Sequence, residues 1–79
     1  MQPERIKQLI EAGMDTTEVR VTGDGRHFDA IIVADAFEGK TMLEQHRIVY
    51  AALGDHMREA IHALSMKTYT PEQWRKAGE

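Results

Sequence analysis

The sequence predicts an α+β domain in the order α-β-β-α-α-β, built on a three-stranded mixed sheet with helices packed on one face. Three observations lead there. Apolar residues recur at helical spacing near the start of the chain and again over its middle. Between them lie two strand-like runs joined by Gly23-Asp24-Gly25, a turn with the freedom a chain reversal needs. A last alternating run follows the helical middle, so it returns parallel to the second strand through a right-handed crossover.

Pro3 suits the first position of a helix and Glu4 its positive end. Ile6, Leu9 and Ile10 mark its buried face, and Gly13 is placed to stop it. From Thr17 to Thr22 the chain alternates. Val19 and Val21 point one way, and Glu18, Arg20 and Thr22 the other, as in a half-buried strand. Phe28 to Ala34 forms the second strand, apolar on both sides around Ile31, Ile32 and Val33, so it belongs at the centre of the sheet or under helices. These two strands make a hairpin.

FEGK closes the second strand, and Thr41 with Glu44 reads as a capping box. A helix follows from Met42 to Leu53, with Met42, Val49 and Leu53 among its buried residues. Gly54 breaks it, and Asp55 caps a second helix carrying Met57, Ala60 and Ile61. The third strand spans Leu64 to Tyr69. Thr70, Pro71 and Gln73 then supply a cap, a first-turn proline and a capping-box partner for one last short turn.

All 79 residues read as one domain. A chain this short buries only ~60 % of its unfolded surface, which leaves room for a partner or a weak homodimer contact. The net charge of −3 argues against gripping nucleic acid through a broad basic field, although not against a local patch. With no cysteine there is no disulfide, no autonomous thiolate metal site and no cysteine nucleophile. The longest apolar run, Ala30 to Ala34, is too short to span a bilayer, and MQPERIKQ shows no secretory pattern, so the chain reads as cytoplasmic. Catalysis finds no support. Ser65 has no triad spacing, and Asp24, Asp29 and Asp35 read as turn and strand-surface residues.

Two histidines stand out. The assumed topology puts the end of the first strand and the starts of the second and third at one sheet edge. His27 begins the second strand and His62 precedes the third, so both come to that edge. Each has a plain reading, His27 as a solvated loop residue and His62 as a histidine favoured at a helix C-terminus. The functional reading is a pair of metal ligands, since two imidazoles can hold one iron of a two-iron cluster in place of two thiolates. His46 and His56 read as surface or packing residues.

Gly39 opens a strand-to-helix turn where single-strand nucleic-acid binders of the KH type carry a GXXG loop, but the second glycine is missing here. Lys40, Arg47 and Arg58 still offer a modest basic patch. Met14, Met42, Met57 and Met66 read as core filler. Tyr69, Pro71 and Trp74 form an aromatic cluster that reads equally as a partner surface or as a cap on the sheet edge.

The combination GDGRHF, FEGKTMLEQHRIVYAAL and IHALSMKTYTPEQW resembles the BolA family, nearest its histidine-loop, acid-stress IbaG-like branch, over nearly the whole chain. The resemblance implies a class II KH-like αββααβ fold. It also implies partnership with a monothiol glutaredoxin and a shared 2Fe-2S cluster. The glutaredoxin and a glutathione would supply thiolates. The BolA-like protein would supply the histidine before its last strand and a residue of the hairpin loop, which match His62 and His27. Some relatives are described as DNA-binding transcription regulators; the acidic balance and the lost second glycine weigh against that role here.

Overall fold

The computed structural model describes residues 2–56 and 63–78. Helix α1 (Pro3–Gly13) leads into strands β1 (Glu18–Gly23) and β2 (His27–Val33). A single 3-10 turn (Asp35–Phe37) precedes helix α2 (Met42–Leu53). Strand β3 (Ala63–Tyr69) and helix α3 (Pro71–Lys76) end the described chain. The helix expected to carry Met57, Ala60 and Ile61 lies outside the described residues.

The sheet order is β1-β2-β3, with β2 central. β1 pairs antiparallel to β2, from Glu18 opposite Val33 to Gly23 opposite Phe28. β3 pairs parallel to β2, from His27 opposite Ala63 to Val33 opposite Tyr69. The mixed sheet is therefore the expected one, and strand boundaries shift by a single residue.

Strand alternation sorts the sheet into two faces. Val19, Phe28, Ala30 and Ile32 face α1 and α2, where they join Ile6, Ile10, Ala34, Phe37, Val49 and Leu53 in one buried cluster. Phe37 enters through the 3-10 turn, so the FEGK segment is a core contributor as well as a connection. The helices approach closely: a Cβ on Gly13 would lie 2.8 Å from the Ala52 carbonyl oxygen, so no larger residue fits there without moving α1 from α2.

One core assignment is corrected. Met42 is 71 % exposed, because the first turn of α2 turns that position to solvent while Gln45 points inward. Gln45 is buried and polar, and every hydrogen-bonding side-chain atom it has is used. Its Nε2 donates to the carbonyls of Phe37 (3.1 Å) and Lys40 (3.0 Å), and its Oε1 accepts from the Thr68 hydroxyl (2.6 Å). One side chain thus ties the 3-10 turn, α2 and β3 together.

The opposite sheet face is not bare. Val33 lies on it by register and is fully buried, outside the main cluster. At that end the Tyr69 and Trp74 rings meet at 5.2 Å, and the Arg20 guanidinium sits 5.3 Å from the Trp74 ring centre. Tyr69 and Arg20 both belong to this face, so α3 folds Trp74 across the sheet, away from α1 and α2. Both expected capping boxes are present, Thr41 with Glu44 and Thr70 with Gln73.

Gln45→Ala would take their partner from the part-buried Lys40 carbonyl and Thr68 hydroxyl, while the Phe37 carbonyl keeps the Lys40 N–H. Chemical denaturation is expected to show a loss of about 1–3 kcal/mol, as for other buried polar groups left without a partner; an unchanged midpoint would contradict this role.

Candidate functional site at the hairpin edge

The candidate site begins with the turn between β1 and β2. Its geometry is set by Asp24, whose Oδ1 accepts from the backbone N–H of Arg26 and of His27, each at 2.9 Å. The Asp24 N–H in turn donates to the His27 carbonyl at 3.2 Å. Short acidic side chains close such turns because the carboxylate mimics a backbone carbonyl. Gly23 is needed beside it. A Cβ there would fall 2.5 Å from both the His27 carbonyl oxygen and the Phe28 ring.

The result fixes the backbone of His27 while leaving its side chain in solvent, at 76 % exposure. The imidazole Nδ1 lies 3.9 Å from Asp24 Oδ2, a weak ion pair only when the ring is protonated. The Asp24 carboxyl is held below the ordinary aspartate range, first by the His27 N–H and next by that of Arg26.

Across the sheet, His27 stands opposite Ala63, the first residue of β3. His62 itself lies outside the described residues, as does Arg58. What the register supplies is that the residue following His62 is the strand neighbour of His27. Among the described residues, no three histidine, aspartate or glutamate side chains converge as a metal site. The chain also lacks cysteine. Among the described residues, this edge presents one exposed imidazole on a fixed strand start.

The other sequence candidates are placed as follows. Lys40 is exposed just before the Thr41 cap of α2, and Arg47 is exposed on that helix. His46 is half-buried and His56 exposed. Tyr69 and Trp74 are half-buried against one another. The sequence places Asp24 in the turn, and the structure adds that its carboxylate holds the Arg26 and His27 N–H groups there.

A model of the family described as BolA-like protein matches residues 3–73. The chain belongs to the BolA-like family. Acid stress protein IbaG of Escherichia coli strain K12 is 34% identical over 77 residues, covering 96% of this chain and 92% of that protein. The DNA-binding transcriptional regulator BolA of the same strain is 30% identical over 81 residues, covering 90% of this chain and 77% of that protein. Among solved structures, a bolA protein homologue from Coxiella burnetii superposes with a TM-score of 0.89 at 49% identity, covering 95% of this chain and 97% of that one. These relatives carry the names of a stress protein, a regulator and a family homologue. Among the described residues, no helix of this BolA-like chain is long and apolar enough to cross a membrane.

The Asp24 contacts give a pH dependence. A carboxyl whose folded-state pKa is depressed stabilises the turn fully above its unfolded pKa, and that contribution is lost as pH falls through the folded value. In an NMR titration the Asp24 carboxyl is expected to titrate below free aspartate, with the Arg26 and His27 amides shifting in step. Asp24→Ala should uncouple those amides from acid; amides that still move together in that variant would contradict the assignment.

Proposed function

We propose that this BolA-like chain is the imidazole-donating partner of a monothiol glutaredoxin, sharing a 2Fe-2S cluster with it in iron-sulfur trafficking or in iron and acid-stress regulation in the cytoplasm. The observation that supports the reading most is the pairing of His27 with Ala63 across β2 and β3, which makes the residue after His62 the neighbour of His27. His27 and His62 would be the ligands from this chain, and the glutaredoxin with a glutathione would supply thiolates. The cluster, when bound, brings iron-sulfur redox chemistry that no side chain here possesses. The chain's own task is binding rather than catalysis. Asp24 holds the backbone of His27, the sheet fixes its strand neighbour, and the exposed ring is free to enter a partner's surface.

Imidazole ligation also suggests why such a protein belongs with acid stress. Iron and a proton compete for the same nitrogen, so a histidine ligand is released in acid more readily than a well-shielded thiolate. The test is to mix the chain with a monothiol glutaredoxin, iron, sulfide and glutathione and to record visible circular dichroism. The heterodimer should give a spectrum distinct from that of the glutaredoxin homodimer. His62→Ala is expected to abolish the difference and His27→Ala to weaken it and hasten cluster loss on acidification. A spectrum identical to the homodimer's at excess of this chain would end the proposal.

A second reading, transcriptional regulation through DNA, is supported by the name of the 30% identical regulator and by the exposed Lys40 and Arg47. Arg58, the third basic residue of the patch, lies outside the described residues. If Lys40 and Arg47 contact phosphates, Lys40→Gln with Arg47→Gln should weaken binding at all sequences and reduce the salt slope by roughly one unit per lost contact. Affinity for duplex DNA no better than that of an acidic control protein would remove this reading.

A further inference from the structure

Among the described residues, the large hydrophobic side chains left exposed are Met42 (71 %), Leu43 (60 %) and Tyr50 (42 %), and all three lie on α2. Leu43, Arg47 and Tyr50 follow at spacings of four and three residues, so they form one outward stripe. It runs about 10 Å along the helix. Met42 lies beside its start and Lys40 at its foot. Leucine, methionine, tyrosine and arginine together have the composition of an interface core, where aromatic, methionine and arginine side chains are enriched.

We infer that this stripe docks an acidic amphipathic helix of a partner protein, at a place separate from the histidine edge. The separation follows from the fold. Gln45, in the first turn of α2, bonds Thr68, whereas His27 stands opposite Ala63. From Ala63 to Thr68 the strand covers about 17 Å. A surface centred on Leu43 is thus at the far end of the sheet from the rim that His27 occupies.

Charge selects the occupant. The glutamate nearest the stripe, Glu44, has its carboxylate turned to the Thr41 N–H at 2.8 Å. Lys40 and Arg47 lie close enough to Glu44 to lower its pKa further, beyond the main effect of the Thr41 hydrogen bonds. The stripe is therefore apolar with a basic flank, on a chain whose net charge is −3. A second copy of the same helix is a poor occupant. In a two-fold antiparallel pairing centred on the stripe, Arg47 would face its own counterpart, and like charges at an interface are costly. Packing the stripe against another helix follows the usual ridges of residues three and four apart. Glutamates flanking leucines on that helix would meet Arg47 and Lys40, and the leucines would cover Leu43, Met42 and Tyr50.

The probe is a synthetic helical peptide with leucines at i, i+3 and i+7 flanked by glutamates, titrated into the full chain and followed by amide NMR. Two control peptides carry lysine in place of glutamate, or the same residues scrambled. The glutamate peptide should shift the α2 amides and bind about tenfold or more tightly than either control. Leu43→Asp and Tyr50→Ser, both at exposed positions, should each reduce that affinity about tenfold, and Arg47→Glu should turn the preference towards the lysine peptide. Leu43→Asp should leave the cluster spectrum with glutaredoxin intact, and His27→Ala should leave peptide binding intact. Equal binding of all three peptides would overturn the inference. So would α2 shifts produced only by duplex DNA, only by phosphatidylglycerol vesicles, or only by raising the concentration of the chain itself.

Discussion

The parallel pairing of β2 with β3 is the constraint on which the rest of the molecule depends. A parallel pair cannot be closed by a tight turn, so the chain must leave the sheet and return from the other end. That requirement places α2 across the sheet, buries Val49 and Leu53 in one cluster with Ile32 and Phe28, and brings Ala63 beside His27. Shifting the register by one residue would exchange the two faces of β3. Thr68 would leave Gln45, and Tyr69 would leave the Trp74 side. Core, polar tie and site geometry are therefore consequences of one pairing.

Within that frame the hairpin turn is rigid where it must be and open where it must be. Asp24 satisfies two amides of the turn and Gly23 allows the return strand to pass close by. Backbone groups are settled locally, so no side chain of the turn needs to be buried to hold it. The imidazole of His27 can then remain exposed without loosening the strand that carries it. The proposed role as a ligand donor rests on this combination of a held backbone and an exposed ring.

Helix α2 shows how one short element serves two environments. Its inner side mixes apolar packing with the Gln45 bonds, and its outer side carries Leu43, Arg47 and Tyr50. The sheet has a similar division. The α1–α2 side holds the main core, while Val33 is buried on the other side, at the end where Tyr69, Trp74 and Arg20 gather. Small chains have little interior, and this one buries side chains on both faces of a three-stranded sheet.

Local physics was legible in the sequence because it depends on neighbours a few residues apart. Both capping boxes, the glycine-rich reversal, the alternation of Val19 and Val21 and the spacing of Ile6 and Ile10 are of this kind, and each has its counterpart in the fold. So was the central place of β2, since a strand apolar on both sides needs cover on both. The exposure of Met42 was not legible, because helical spacing allows more than one face and only packing against β3 chose the face bearing Gln45. Nor was the crossing of Trp74 to the second face, which depends on which way the chain turns after Tyr69. His27 was readable as a residue type in a turn. That its strand neighbour is the residue after His62, 36 positions along the chain, was decided only by tertiary structure, because hydrogen bonds between strands distant in sequence form only once the intervening helix has found its place.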